Sequence, residues 1–119
     1  MDTSDSSITF NELGWCVYCN NYHKNILPSW LTDERGERKL LETSEKIKTL
    51  GKGKDYDCII GLSGGLDSSY LTYIAKEKLG LRPLLFHVDA GWNTNQAVSN
   101  IEKLVDGLGL ELYTEVIDW

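Results

Sequence analysis

The sequence predicts an α/β fold in which parallel strands alternate with helices through the second half of the chain. Short apolar runs, typical of buried strands, are separated by two segments whose apolar residues recur with helical spacing. A glycine-rich turn, Gly64-Gly65, joins the first strand to the first helix, and Gly80 and Gly109 end the two helices. Strand–helix–strand units of this kind form a parallel sheet through right-handed crossovers.

The length, charge and cysteine content of the chain exclude several classes of protein. The 119-residue chain is long enough for one small domain or for part of a larger one. Its formal net charge of −6 argues against tRNA or DNA as a partner, because proteins that bind nucleic acids normally show a basic face. No apolar run approaches the length needed to span a bilayer, and the polar N-terminus does not resemble a signal peptide. Three cysteines do not suggest a disulfide framework, so we expect a cytoplasmic protein.

Residues 1–50 are expected to form an N-terminal arm that carries a cysteine pair and an amphipathic helix. After a turn at residues 11–14, Cys16 and Cys19 stand in a Cys-x-x-Cys spacing. Two thiolates at this spacing can share one tetrahedral Zn²⁺ ion, although a redox pair or two buried small residues would show the same pattern. His23 is a candidate third ligand, but an isolated histidine is more often a surface or packing residue.

Two helices are expected in this arm. A short helix over roughly residues 18–26 should end before Pro28, because a proline disfavours helical backbone in the residue that precedes it. A second helix, capped by Thr32 or Asp33, should run to about Leu50 with a narrow apolar stripe and charged residues on its other faces.

Residues 51–119 are expected to hold a βαβαβ unit. Cys58 lies inside the first strand as a core residue, and Asp67 or a neighbouring serine is expected to cap the first helix. The second strand is almost continuously apolar, which is typical of a parallel strand covered on both faces. The predicted elements are, in order, strand one at Asp57–Leu62, helix one at Asp67–Leu79, strand two at Pro83–Asp89, helix two at Asn95–Leu108 and strand three from Glu111 to about Ile117.

The stretch Leu62-Ser63-Gly64-Gly65-Leu66-Asp67-Ser68 predicts a turn that binds an anion. Its glycines can adopt positive φ angles and let a ligand approach the backbone closely. Backbone N–H groups in such a turn, together with a helix N-terminus, form a site for phosphate, and the serine hydroxyls add neutral donors. The stretch is not a Walker loop, because no Gly-Lys-Ser/Thr follows the glycines. An ordinary tight turn between strand and helix is the alternative.

This loop resembles the SGGxDS loop of the PP-loop ATP pyrophosphatase (adenine nucleotide alpha hydrolase-like) superfamily. Its flanks resemble the N-acetyl sugar amidotransferases of bacterial surface-polysaccharide (LPS/O-antigen) biosynthesis. The resemblance implies a three-layer Rossmann-like fold, of which this chain would be an N-terminal fragment holding the first βαβαβ half. The flanking residues that carry the likeness are Ile8–Cys19, His87–Asn93, Asn100-Ile101 and Val116–Trp119.

One departure from that family concerns the cysteines. In the family a first Cys-x-x-Cys usually precedes the segment that corresponds to Met1–Asp5, and here it is missing. Two thiolates remain of an expected four, so Cys16 and Cys19 are left as an incomplete candidate zinc pair.

The resemblance also implies the chemistry. ATP would be split into AMP and pyrophosphate, and an acetamido group of a nucleotide sugar would become an acetamidine, with ammonia supplied by a separate glutaminase. Ser63 and Asp67 would be the catalytic residues, and Asp67 would help to hold Mg²⁺. The residues expected to bind the nucleotide are Leu62, Ser63, Gly64, Gly65, Leu66, Asp67, Ser68, Val88 and Asp89.

Two other functions remain open from the sequence: a PP-loop enzyme of tRNA thiolation, and a non-catalytic ATP-binding module. The acidic composition and the flanking motifs disfavour the first. Strand one would have a bare, apolar edge, which is a pairing hazard. We therefore expect the chain either to self-associate through strand one or to cover that edge with the helix at 33–50. Little or no turnover is expected from these residues alone, because the part that would bind the acceptor is expected to be absent.

Overall fold

The computed structural model describes residues 2–118, and the chain divides into two compact units, with the boundary in the sequence between Leu40 and Leu41. In the first unit, Phe10 and Cys16 form an isolated antiparallel bridge across the predicted turn. Asn11 shapes this turn, because its side-chain oxygen accepts hydrogen bonds from the backbone amides of two residues that follow it, at 2.9 and 3.0 Å. The boundary predicted between residues 50 and 51 stays a prediction.

A short helical run follows the turn. Helix α1 spans Val17–Asn21 and continues as a π-helical turn at Tyr22–Ile26 and a 3₁₀ turn at Leu27–Ser29. The helix predicted over roughly residues 18–26 corresponds to the α-helical and π-helical residues 17–26, and Pro28 lies in the separate 3₁₀ turn that follows. A proline is tolerated in the first positions of a helical turn, where its missing N–H would have no partner, and Pro28 occupies such a position.

Helix α2 spans Glu34–Gly51 and crosses the boundary between the two units. The Asp33 carboxylate accepts a hydrogen bond from the Arg35 amide at 3.0 Å, so Asp33 satisfies one amide of the first turn, as predicted for one of the two candidate caps.

The second unit is an α/β structure, as predicted, and its three strands form a parallel sheet in the order β1-β2-β3. Two helices connect the strands, and the first continues as a π-helical turn at Ile74–Lys78. The bounds are β1 Cys58–Gly61, α3 Leu66–Tyr73, β2 Pro83–Asp89, α4 Asn95–Leu108 and β3 Leu112–Val116.

Helix α3 begins one residue earlier than predicted. Gly65 is its N-cap residue, and no side chain caps it, so the predicted cap by Asp67 or a serine is wrong. The reason is local: Ser68 and Ser69 already lie in the first turn of the helix, and their hydroxyls bond to the carbonyl oxygen of Gly65 at 3.4 and 2.7 Å. At the other end Gly80 has a φ of +63°, as a helix-ending glycine should.

The core lies on one face of the sheet. Ile60 and Leu85 are buried there against Ala75, which follows α3, and Ile101 of α4. Two right-handed crossovers in the same direction place both helices on this face. The opposite face carries Ile59, 69% exposed, and the stacked rings of Phe86 and Tyr113.

The expectation that β2 is covered on both faces is thus wrong for residues 2–118, because Val88 is 43% exposed. None of the helices in this described range is long and apolar enough to cross a membrane.

Candidate phosphate-binding site

The turn between β1 and α3 gathers backbone amides and serine hydroxyls in one place. The Ser63 amide donates to the Ser68 hydroxyl at 3.2 Å, and the Gly65 amide donates to the Ser63 hydroxyl at 3.3 Å. The two hydroxyl oxygens are 3.1 Å apart. These bonds are long, so an arriving anion can replace them with shorter, charge-assisted ones.

The start of α3 adds further donors. The first turn of any helix has amides without a carbonyl partner inside the helix, and here these belong to Leu66, Asp67 and Ser68. The Ser69 amide is the first that bonds back, to the carbonyl oxygen of Gly65 at 3.2 Å. An open groove of about 440 Å³ lies beside the turn. Gly65 and Ser69 line this groove, and Ser63 lines a second groove of about 330 Å³, so the turn is open to solvent on both sides.

Gly64 brings the turn directly onto α4. It has a φ of +76°, and a Cβ built on it would lie 2.5 Å from the carbonyl oxygen of Ala97 and 2.8 Å from the Ala97 Cα. Both the backbone conformation and the space therefore require glycine. The start of α4 is itself fixed, because the Thr94 hydroxyl accepts a hydrogen bond from the Ala97 amide at 3.1 Å.

Two polar side chains of α4 face this turn. The Asn100 side-chain amide donates to the carbonyl oxygen of Gly64 at 3.0 Å. Lys103 lines the same groove as Gly65 and Ser69. Asn100 and Lys103 are three residues apart, which places them on one side of the helix. Lys103 is thus a positive charge next to a turn that contains none of its own.

The end of β2 is tied to the end of β1 by a buried histidine. His87 is 8% exposed; its Nδ1 lies 2.7 Å from the carbonyl oxygen of Leu62, and its Nε2 lies 3.0 Å from the side-chain nitrogen of Asn93. A carbonyl oxygen only accepts a hydrogen bond, and an amide nitrogen only donates one. Nδ1 must therefore donate to Leu62 and Nε2 must accept from Asn93, so this geometry requires the tautomer with its proton on Nδ1. Asn93 also donates to the Asp89 carboxylate at 2.9 Å.

The residues predicted to bind a nucleotide fall on neighbouring grooves at the carboxyl ends of the strands. Gly64, Gly65 and Leu66 line the groove beside α4. Leu62, Ser63 and Val88 line a second groove of about 330 Å³. Asp89 lines a smaller cavity of about 190 Å³ near β3, and Asp67 is exposed in the first turn of α3.

Sequence reasoning did not assign roles to several residues of this region. Three residues touch or line the site although no spacing pattern around them in the sequence indicates such a role: Asn93, Asn100 and Lys103. Asn93 and Asn100 fall in the stretches that carry the family resemblance, which was the one available signal for them. His87 was available in the same way, but its link to Leu62 spans 25 residues of sequence and is visible only in the fold.

The cysteine pair lies in the first unit, and its two sulfur atoms are 3.5 Å apart. The backbone amide of Cys19 bonds to the sulfur of Cys16 and lowers the pKa of that thiol, whereas the hydrogen bond with Cys16 raises the pKa of Cys19. The ring of His23 stacks on Trp15 with centroids 4.3 Å apart.

A structural zinc site normally has a closed set of four ligands. Among residues 2–118, no group of three or more His, Cys, Asp or Glu side chains is placed to hold a metal ion. The described residues therefore do not fit a structural zinc site.

No protein-family model matches the chain, and no curated protein matches it. Among solved structures, the chain is similar to NMN synthetase from Francisella tularensis, with 28% identity and a TM-score of 0.48 over 65% of this chain. The match spans 34% of that protein, about a third of its length.

Proposed function

We propose that this chain binds the triphosphate of ATP and belongs to an enzyme that releases pyrophosphate and transfers AMP. The observation that supports this most directly is the cluster of amides and hydroxyls at Ser63, Gly65 and Ser68 at the carboxyl end of β1, where Ser63 lines a groove of about 330 Å³. Ligands of parallel α/β sheets bind at that end of the strands. The proposal agrees with the resemblance of the loop to PP-loop ATP pyrophosphatases.

The donors are proposed to bind the pyrophosphate that leaves, as the resemblance to PP-loop ATP pyrophosphatases implies. The turn offers amides and two hydroxyls, and the first turn of α3 offers three more amides. Lys103 lines the groove on the α4 side of Gly65 and adds a positive charge near the turn. Such a set stabilises the charge that builds up on the leaving group, and it is in place before the reaction begins.

Asp67 is the residue proposed to hold Mg²⁺. The ion is usually bound by one or two carboxylates together with substrate phosphates and water, so a single exposed carboxylate beside a phosphate site fits it. When bound, Mg²⁺ neutralises charge on the pyrophosphate. The Asp67 carboxylate also interacts favourably with the partial positive charge at the N-terminus of α3, and it can do so while it holds Mg²⁺.

The nucleoside is proposed to lie along the second groove, between the ends of β1 and β2. Val88, half-exposed at the end of β2, offers an apolar surface, and the Asp89 carboxylate is held by the Gly91 amide and Asn93 at 2.9 Å each. The backbone near Val88 and Asp89 would meet the adenine edge, as the resemblance implies.

The finer proposal is an amidotransferase of surface-polysaccharide biosynthesis. The acetamido oxygen of a nucleotide sugar attacks the α-phosphorus of ATP, and the bond to pyrophosphate breaks. Ammonia, supplied by a separate glutaminase, then attacks the activated carbon, and AMP leaves to give an acetamidine. The protein contributes positioning and charge stabilisation, and no side-chain nucleophile is needed.

Binding of ATP and of pyrophosphate by calorimetry tests the phosphate site. Ser63→Ala and Ser68→Ala should each weaken binding about tenfold, because each removes a hydroxyl donor to a charged group. Ser29→Ala, which removes an exposed hydroxyl in the first unit, is the matched control and should leave affinity unchanged. Wild-type chain that binds neither ligand would overturn the proposal.

Turnover tests the amidotransferase step. The full-length protein incubated with ATP, ammonium and UDP-acetamido sugars should release AMP and produce a sugar whose mass has changed from amide to amidine. ATP binding without pyrophosphate release would favour a non-catalytic module instead.

A further inference from the structure

We infer that Asn100 is a positioning residue that holds the Gly64–Gly65 peptide in the orientation an anion requires. The inference rests on the proposed function, because it names the α4 residue that prepares the phosphate turn. Asn100 itself touches the turn through a carbonyl oxygen and need not touch the ligand.

The orientation of the Asn100 side chain is set by the carbonyl oxygen of Gly64, which can only accept a hydrogen bond. The Asn100 nitrogen therefore faces Gly64 and donates to that oxygen at 3.0 Å. The Asn100 oxygen faces the other way, where it accepts a hydrogen bond from the Gln96 side-chain nitrogen at 2.7 Å.

Planarity of the peptide carries this constraint into the site. The carbonyl oxygen of Gly64 and the N–H of Gly65 belong to one trans peptide, and in such a unit they point in opposite directions. Because Asn100 draws the oxygen toward α4, the Gly65 N–H points away from α4. It is directed at the Ser63 hydroxyl, 3.3 Å away, where the other donors also gather.

This peptide needs an external restraint because glycine stands on both sides of it. Neither residue has a Cβ that would resist rotation of the peptide plane, and glycine reaches several backbone regions at low cost. A flipped peptide would turn the Gly64 oxygen toward the bound phosphate and repel it. The hydrogen bond from Asn100 selects against that arrangement.

The test measures pyrophosphate affinity by calorimetry together with the Gly65 amide resonance of the ligand-free protein. Asn100→Asp, which places a carboxylate against the Gly64 oxygen, should weaken pyrophosphate binding by more than tenfold. Asn100→Ala should weaken it about fivefold, the effect of one hydrogen bond. Asn95→Asp, with the same charge change on an exposed residue of α4, is the matched control and should change affinity less than twofold.

The Gly65 resonance separates this role from a merely structural one. In both Asn100 variants it should shift and broaden through exchange between the two peptide orientations, while resonances of the sheet stay in place. An unchanged Gly65 resonance, or wild-type affinity in Asn100→Ala and Asn100→Asp, overturns the inference and leaves the proposed function standing. Wild-type chain that binds no pyrophosphate overturns the proposed function, whereas the Gly65 resonance still decides whether Asn100 holds the peptide.

Discussion

At the scale of the residue, the turn after β1 depends most on Gly64. Its φ of +76° disfavours any side chain, and a Cβ would lie 2.5 Å from the Ala97 carbonyl oxygen. Gly64→Ala should therefore lower the free energy of unfolding by about 2 kcal/mol or more, from backbone strain and displacement of α4. It should also abolish pyrophosphate binding. Urea unfolding and calorimetry measure the two effects.

Gly107 provides the matched control for that substitution. It lies inside α4, its φ is not positive, and a Cβ there would meet nothing within 4 Å. Gly107→Ala should raise stability by about 0.5–1 kcal/mol, because alanine is the better helix former. If Gly64→Ala is as stable as wild type, the close approach of the turn to α4 is not required.

The turn after β1 could be predicted from sequence because its amides and hydroxyls are neighbours along the chain. The six residues from Ser63 to Ser68 are enough to propose it as a phosphate site. The contacts that orient the turn could not be predicted, because their partners are distant in sequence. Asn100 reaches Gly64 across 36 residues, and no local pattern distinguishes it from another polar residue on the surface of a helix.

At the scale of the element, one buried carboxylate joins the end of α2, the start of β1 and the start of β2. The Asp57 side chain is 4% exposed and lies 2.7 Å from the Arg82 guanidinium, which also bonds to the carbonyl oxygens of Lys54 and Gly51. A Cβ on Gly51 would overlap Asp57, so only glycine allows this approach. The hydrogen bond from Arg82 lowers the pKa of Asp57.

This pair predicts a pH dependence of stability. Because the pKa of Asp57 is lower in the folded state, the carboxylate stabilises the fold above its unfolded pKa of about 4. That stabilisation is lost as the pH falls through the folded pKa. Asp57→Asn should therefore flatten the fall in stability on the acid side, as measured by urea unfolding between neutral and acid pH.

Arg82→Met provides the second arm of a double-mutant cycle. If Arg82 causes the shift, Asp57→Asn should alter the acid dependence in wild type but much less in Arg82→Met. An equal change in both backgrounds would assign the pH dependence to groups other than this pair.

The ends of a helix or strand could be predicted from sequence where a proline or a glycine fixes them. The residues of β2 and α4 are those predicted, because Pro83 opens the first, and Gly109, with a φ of +58°, ends the second. Helix α3 starts one residue before the predicted Asp67, because Gly65, the second glycine of the turn, is also the N-cap residue of the helix. The π-helical turn after α3 has the same apolar spacing as an α-helix over so few residues, so the sequence does not distinguish the two.

At the scale of the whole molecule, the coverage of the sheet was not predictable from β2 alone. An apolar run indicates that a strand is buried by something, but not by which part of the chain. Within residues 2–118 the helices that connect the strands cover one face, and the other presents Ile59, Tyr113 and Val88 at 69%, 53% and 43% exposure. Strand β1 is also an edge strand.

These features carry the last prediction, that the chain self-associates through β1. An edge strand with an exposed apolar side chain offers both unpaired backbone groups and apolar surface to another copy. Ile59→Lys should reduce the association, because a charge on an edge strand opposes pairing. Leu13→Lys, at a residue 76% exposed in the first unit, is the matched control and should leave the association unchanged. Size exclusion with light scattering measures the mass, and a wild-type chain that stays monomeric at every concentration tested would contradict the prediction.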